Sequence, residues 1–230
     1  MSFFNSSEPL LRDKQQELDF QDLQGLWRFR CKIGNVTLFS RFYSRIDQTF
    51  VLWGLISSSI FVTAQFLPVS WTTQAILWSA LTLVGTASMV ALTWYWVSVE
   101  RLRWVIYCWV ILMLFGLVLT DLGIFLSWGE VLMRLCPLWL ALSALGYLFT
   151  GLGMRSRTFI FVGVIHLLGI AILPYVAAWC FLTTGLIMTA TLLPLAEWQW
   201  DMRPPINYAY LTAEQKQFNC KQHQLRQVVS

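Results

Sequence analysis

One histidine lies inside a long apolar run of this 230-residue chain, and it is the first candidate for a chemical role. His166 comes nine residues after Arg157, which is roughly 13 Å along a helix and close to the middle of an apolar bilayer core. An ionisable side chain at that depth is a default functional candidate. The structural interpretation is a neutral imidazole bonded to a carbonyl or a hydroxyl on a neighbouring helix. Candidate hydroxyls are those of Ser57, Ser58, Ser59, Thr86, Ser88 and Thr184.

Two functional interpretations of His166 stay open. An imidazole can be the axial ligand of a haem iron or a chlorophyll magnesium, although no second membrane histidine exists for a bis-histidine haem. The imidazole could instead relay a proton or a substrate, in a small transporter or channel that also uses the nearby serines and threonines.

A second set of charged residues is predicted at the outer end of the spans. Asp121 follows Arg103 by 18 residues, roughly 27 Å along a straight helix, which places it near the opposite interface. Glu130 and Arg134 follow in a short polar interval. We expect Arg134 to pair with Glu130 or Asp121 and to reach toward water. The alternatives are an outer vestibule or a contact with a partner.

The sequence contains none of the common motifs for metal binding or for catalysis that we considered. The five cysteines, Cys31, Cys108, Cys136, Cys180 and Cys220, form no Cys-x-x-Cys pair, so no metal site is predicted. Cys136 and Cys180 both lie near the predicted outer face, where a disulfide is possible if that side is oxidising. No phosphate loop, nucleophile elbow or zinc-protease motif is present. A non-enzymatic role is therefore expected.

The elements that position these residues are membrane helices. The chain is 57% hydrophobic and only 12% charged, and its apolar residues fall in long blocks rather than in stripes. We predict an all-α integral membrane protein with six spans in three hairpins. The spans lie at about 50–67, 75–97, 104–125, 137–153, 158–173 and 175–195. The break near Pro174 divides a run that is too long for one span.

Basic residues predict the orientation of the spans. Every Lys and Arg except Arg134 lies before the first span, at 98–103, at 154–157 or after the last span. This asymmetry predicts that both termini are cytoplasmic. The basic residues expected at the interface are Arg28, Arg30, Lys32, Arg41, Arg45, Arg101, Arg103, Arg155 and Arg157.

Two polar segments flank the predicted transmembrane domain at 49–196. In the N-terminal segment, 1–48, a short surface helix from Ser7 to about Gln24 precedes an amphipathic stretch at 26–45, in which aromatic and basic residues interleave. That pattern suits the lipid headgroup layer, and the neighbouring span argues against nucleic-acid binding. In the tail, 197–230, Thr212 and Gln215 have the spacing of a capping box that opens a short polar helix.

The function that these features favour is that of a non-enzymatic accessory protein, which assembles or stabilises a larger membrane complex. Its expected partners are the lipid bilayer and other membrane-protein subunits. The composition, rich in Trp and Gln and poor in Lys, is similar to that of polytopic membrane proteins of cyanobacteria. This similarity implies a bacterial plasma membrane or a thylakoid membrane as the location.

Overall fold

The computed structural model describes the backbone of residues 3–4, 9–33, 36–203 and 209–229, and the side chains of the same ranges except 30–40 and 227–229. The chain is 77% helical. Five helices are long and apolar enough to cross a membrane: Arg45–Phe66, Trp71–Val99, Arg103–Phe125, Leu135–Met154 and Arg157–Glu197. The prediction of a helical, multi-pass membrane protein is therefore confirmed.

The membrane domain begins with α2 (Arg45–Phe66), α3 (Trp71–Val99) and α4 (Arg103–Phe125). A four-residue helix, α5 (Gly129–Leu132), leads into α6 (Leu135–Met154). The last 41-residue stretch consists of α7 (Arg157–Ile172), a 3₁₀ segment (Leu173–Trp179) and α8 (Cys180–Glu197). The described residues outside this domain form α1 (Phe20–Leu23), α9 (Ala213–Val229) and four strands. The strands are β1 (Leu11–Arg12), β2 (Trp27–Ile33), β3 (Val36–Tyr43) and β4 (Gln199–Trp200).

The 41-residue stretch does not run straight. A straight helix of that length would measure roughly 60 Å, about twice the apolar thickness of a bilayer. Val176, two residues after Pro174, leaves the helical region at φ −123° and ψ 35°. The start of α7 is hydrogen-bonded to Asp201, just beyond the end of α8. Both ends of the stretch therefore lie at the same end of the bundle.

The long helices pack in a ring. α2 packs against α3 and α8, α4 packs against α3 and α6, and α7 packs against α6. α8 also touches α6 and α7, which completes the ring. Large apolar side chains such as Leu55, Ile76, Ile111, Leu145 and Leu186 face outward and are exposed, as a lipid-facing surface requires.

Contacts among polar segments gather at one end of this ring, which we call the basic end. It is formed by residues 9–24, the turns at 100–102 and 155–156, and residues 198–203. Each of the two turns contains an arginine whose backbone is in the left-handed region, Arg101 at φ 56° and Arg155 at φ 53°. α2 starts there with a capping box, in which Ser44 and Asp47 bond reciprocally.

The flanking segments differ in part from the prediction. Within residues 9–24 the structure has no long helix: β1 pairs with β4 instead, with Leu11 opposite Trp200, and helix in this range is confined to Phe20–Leu23. Ser7 lies outside the described residues. The stretch at 26–45 forms an antiparallel β-hairpin of β2 and β3. The polar tail helix is confirmed as α9, opened by reciprocal bonds between Thr212 and Gln215.

Candidate functional site

A long central cavity runs inside the ring of helices. On α2 alone its lining extends from Ile46 to Ala64, eighteen residues apart and so roughly 27 Å along the helix. Its volume is about 150 Å³. Because this volume is drawn out along most of the bilayer thickness, the cavity is narrow.

The wall of the central cavity is apolar and aromatic. No Asp, Glu, Lys, Arg or His is among the described residues that line it. Threonines do line it, but Thr93, Thr120 and Thr150 each donate their hydroxyl to a carbonyl of their own helix. Their methyl groups then contribute apolar surface. Six tryptophans line the cavity: Trp53, Trp78, Trp96, Trp109, Trp139 and Trp200.

Tryptophans and glycines set the spacing of the helices around the central cavity. The ring of Trp109 on α4 lies over Gly146 of α6, where a side chain would clash with it, and its Nε1 donates to Thr150 at 2.9 Å. The ring of Trp139 on α6 lies over Gly116 of α4. Its Nε1 donates to Thr120 at 3.1 Å. This reciprocal pair lets two large rings fill the interface with both indole N–H groups satisfied.

A polar vestibule of about 180 Å³ lies at the basic end. Ile46, Trp96 and Trp200 line both this vestibule and the central cavity, so they form the boundary between the two spaces. Trp96 and Trp200 meet edge to face, with ring centroids 6.5 Å apart. The charged residues that line the vestibule are Arg12, Lys14, Asp19, Asp22, Asp47, Glu100, Arg203 and Arg226.

Ion pairs neutralise three of the four vestibule acids. Lys14 lies 2.8 Å from Asp47 and also donates to the carbonyl of Ala196 at 2.6 Å. The guanidinium of Arg203 lies 3.7 Å from the carboxylate of Glu100. Asp19 is paired with Arg226 and with His223 on α9.

Asp22 is the fourth acid, and no ion pair to it is found within the described part of the chain. Its carboxylate accepts one hydrogen bond, from Nε1 of Trp96 at 2.9 Å. Burial, together with the negative charges of Asp19 and Glu100, raises the pKa of Asp22 to about 7, although the Trp96 bond and Arg226 act in the opposite direction. The carboxyl at the boundary of the two spaces is therefore poised between its charged and neutral forms at neutral pH.

Asp201 and Arg203 tie the tail to the turns of the basic end. The fully buried carboxylate of Asp201 accepts bonds from the hydroxyls of Ser156 and Thr158, from Arg157 and from the backbone N–H groups at the start of α7. Burial would raise the pKa of Asp201, but these hydrogen bonds outweigh it and lower the pKa. Arg203 donates to the carbonyls of Gly153, at 2.8 Å, and Glu100.

Comparison with protein-family models, with curated proteins and with solved structures finds no match for this chain. The two adjoining spaces, one apolar and one polar, are therefore the features from which a function can be argued.

His166 lies deep in the bundle but outside the central cavity. The residue is fully buried, and its Nδ1 lies 2.9 Å from the carbonyl of Val162 on its own helix. Its ring packs against Tyr147, with centroids 5.0 Å apart, and Nε2 has no hydrogen-bond partner within the described chain. The bonded carbonyl thus belongs to α7 and not to a neighbouring helix. Tyr147 lines the central cavity, whereas His166 does not.

The predicted outer charge set is not brought together. Asp121 accepts hydrogen bonds at 2.9 Å from Ser79 on α3, while Glu130 and Arg134 are exposed. No ion pair joins these three residues, all of which are described. Nearby, the buried Cys136 packs with Cys180, and both thiols are free.

The basic residues predicted at the interface take several roles. Arg28, Arg101 and Arg155 are exposed, whereas Arg41 lies 3.9 Å from Glu197 and Arg45 is partly buried. Two others are engaged within the protein. Arg103 lies over the rings of Trp94 and Tyr210, and Arg157 is bound to Asp201. The side chains of Arg30 and Lys32 lie outside the described residues.

Sequence reasoning missed the vestibule, whose residues come from five places in the chain. One signal was available at Asp47, because the Ser44-x-x-Asp47 spacing resembles that of a capping box. No local pattern indicates that Asp22 meets Trp96 or that Asp201 meets Thr158, because these pairs form only when the terminal segments fold under the bundle.

Proposed function

We propose that this chain is a six-span, non-enzymatic membrane protein with both termini in the cytoplasm, and that it holds a single hydrocarbon chain in its central cavity. Two observations support six spans: the two ends of the 41-residue stretch meet at Asp201, and an interruption lies at Val176. The gathering of both terminal segments at the basic end supports a shared, cytoplasmic side.

The central cavity is the observation that carries the binding role. It is apolar, narrow and nearly as long as the bilayer core is thick, so its shape suits one extended chain rather than a broad ring system. An apolar ligand gains free energy by leaving water or by filling an otherwise empty space, since unfilled cavities forfeit packing contacts. Four methionines, Met89, Met113, Met154 and Met188, give the wall side chains that adapt to a flexible guest.

The same wall is poorly suited to ions. A path for ions needs charged groups or carbonyl oxygens to replace the water that the ion loses. The described lining has no charged group, and the hydroxyls of Thr93, Thr120 and Thr150 donate to carbonyls of their own helices. A channel or transporter that uses His166 finds no support in this geometry, because His166 does not line the cavity.

A brominated long-chain alkane tests the binding role, because bromine quenches tryptophan fluorescence on contact. The protein is placed in lipid nanodiscs and titrated with the probe. We expect saturable quenching, since six tryptophans line the cavity. Ser143→Phe adds volume to the cavity wall on α6 and should weaken the saturable component at least about tenfold, or ~1.4 kcal/mol.

Leu145→Phe is the matched control, because it adds a ring on the same helix at a side chain that is 43% exposed and faces outward. Probe dissolved in the bilayer quenches both variants equally. Thr82→Leu fills the cavity from α3 and provides a second variant if Ser143→Phe unfolds. Non-saturable quenching that is the same in all variants would contradict the proposal.

An accessory role in a larger complex is the second candidate, and the β2–β3 hairpin favours it. Trp27 and Phe29 share one face of β2 and are 57% and 51% exposed. Large exposed rings on a hairpin outside the bundle are suited to contact with another subunit. We expect a stoichiometric partner after purification in mild detergent and its loss in the Trp27→Ala, Phe29→Ala double variant. A monomer under several mild conditions would count against this role.

A further inference from the structure

We infer that the hydrocarbon chain in the central cavity carries a polar head that donates a hydrogen bond, a hydroxyl or an amino group, and that Asp22 in the polar vestibule accepts it. This inference rests on the proposed function and adds the chemical class of the ligand: a single-chain amphiphile of the long-chain alcohol or amine type.

The adjacency of the two spaces is the first step. The central cavity and the polar vestibule share Ile46, Trp96 and Trp200. Trp200 also meets Phe159 edge to face, with centroids 5.1 Å apart. A chain that fills the apolar space therefore ends at an aromatic boundary, and beyond this boundary lies a polar chamber rather than bulk lipid.

The position of Asp22 at this boundary is the second step. Its carboxylate bonds to Nε1 of Trp96, one of the boundary rings. A carboxylate can accept about four hydrogen bonds, and the single described bond leaves most of that capacity unused. The first polar group of a ligand that emerges between Trp96 and Trp200 reaches the region of this carboxyl.

The charged residues that line the vestibule indicate which kind of head group binds there. Asp19, Asp47 and Glu100 are already neutralised by Arg226, Lys14 and Arg203. Within the described vestibule, Asp22 is the acid without an ion pair. A cationic or neutral donor completes the pairing, whereas an anionic head would meet the repulsion of Asp22.

The test compares five probes that share one brominated chain and differ in the end group: alkane, primary alcohol, primary amine, carboxylate and phosphate monoester. Affinities come from saturable tryptophan quenching in uncharged nanodiscs. We expect the alcohol and the amine to bind at least about tenfold more tightly than the alkane, as a hydrogen bond to a charged acceptor provides. Asp22→Ala should remove that advantage, measured in each variant as the ratio of alcohol or amine affinity to alkane affinity.

Asp22→Asn separates charge from hydrogen bonding. It keeps an oxygen for Trp96 but loses the negative charge, so it should weaken the amine more than the alcohol. Asp13→Asn is the matched control, because Asp13 is exposed in the same segment and does not line the vestibule. It should change no affinity.

Amine binding should also tighten as the pH rises through about 7, where Asp22 becomes charged. The charged groups that face Asp22 are Asp19 before α1, Glu100 after α3 and Arg226 on α9, and His223 faces Asp19. Asp22→Asn removes this pH dependence if Asp22 is its source. A pH dependence that survives in Asp22→Asn assigns it to another group and contradicts the role of Asp22.

The remaining outcomes are distinct. The Nε atoms of Arg203 and Arg226 lack a described partner, so the phosphate probe tests the competing, anionic head. Tightest binding by the phosphate or the carboxylate, or equal binding of alkane and alcohol, would overturn the inference while leaving the proposed function intact. Failure of every probe, the alkane included, would instead overturn the proposed function.

Discussion

Asp201 is the residue through which the tail binds the start of α7 at the basic end. Its carboxylate lies at the N-terminus of α7, where the backbone N–H groups of Arg157 and Thr158 are free to donate and the helix dipole favours a negative charge. The hydroxyls of Ser156 and Thr158 complete the shell at 2.9 Å and 2.7 Å. Through this one group, the tail holds the start of α7.

Replacement of Asp201 by Ala should therefore destabilise the protein strongly. The change removes the acceptor of the buried Ser156 and Thr158 donors and the bond from Arg157 Nε, which we expect to cost about 3 kcal/mol in the free energy of unfolding. Thermal unfolding in detergent measures it. Asp13→Ala, at an exposed position of the N-terminal segment, should change the melting temperature little. An Asp201→Ala protein as stable as the Asp13→Ala protein would refute the anchoring role.

At low pH the stabilisation that Asp201 provides to the folded protein should be lost. The pKa of Asp201 is lowered in the folded protein relative to its ordinary value of 3.8, so its stabilisation is present above that value and is lost as the pH falls through the folded pKa. The difference in melting temperature between the wild type and Asp201→Ala should accordingly narrow in strong acid. A difference that stays constant at all pH values would show that the carboxylate charge contributes nothing.

Between elements, the packing of α4 on α6 depends on two reciprocal contacts. Each helix gives a tryptophan to its neighbour and receives one over a glycine, with a threonine four residues later to accept the indole N–H. Glycine is required at these two positions because a Cβ on Gly146 would lie 2.5 Å from the ring of Trp109. Hydrogen bonds between helices add about 0.6 to 2 kcal/mol in membranes.

A double-mutant cycle tests the Trp109–Thr150 contact. Thr150→Val keeps the shape and leaves the indole N–H unsatisfied, so we expect a loss of about 1 kcal/mol in stability. Trp109→Phe removes the donor, and Thr150→Val should then cost little more, giving a coupling of about 0.5 kcal/mol or larger. The equivalent cycle on Trp139 and Thr120 is the internal comparison. Strictly additive losses in both cycles would argue against the two hydrogen bonds.

Whether each element could be predicted depends on whether the residues that form it are near each other or far apart in the chain. The candidate spans were predictable because long apolar blocks have one stable state in a bilayer, and the tail helix was predictable from Thr212 and Gln215. The β2–β3 hairpin was missed because alternating aromatic and basic residues were interpreted as an interfacial surface, although a period of two is also typical of strands. The helix predicted before Gly25 was wrong because β1 pairs with β4, a partner almost 190 residues away.

At the scale of the whole molecule, the main question is how many times the chain crosses the membrane. Tyr175 lies in the 3₁₀ segment between α7 and α8 and is 88% exposed. With six spans, it faces the side opposite to the tail. A cysteine-free chain carrying Tyr175→Cys should react with a membrane-impermeant maleimide from outside intact cells. The matched chain that keeps only Cys220, an exposed tail residue, should react only after permeabilisation. Labelling of both from the same side would contradict six spans.

The order of synthesis gives the anchoring by Asp201, Arg203 and α9 a further consequence. These groups leave the ribosome after helices α2 to α8, so the contacts that close the vestibule side form only after the bundle has been synthesised. A nascent chain halted after Glu197 would present an uncovered bundle. Under the proposed function, a guest molecule would enter the cavity before residues 198–203 and α9 cover that end of the bundle.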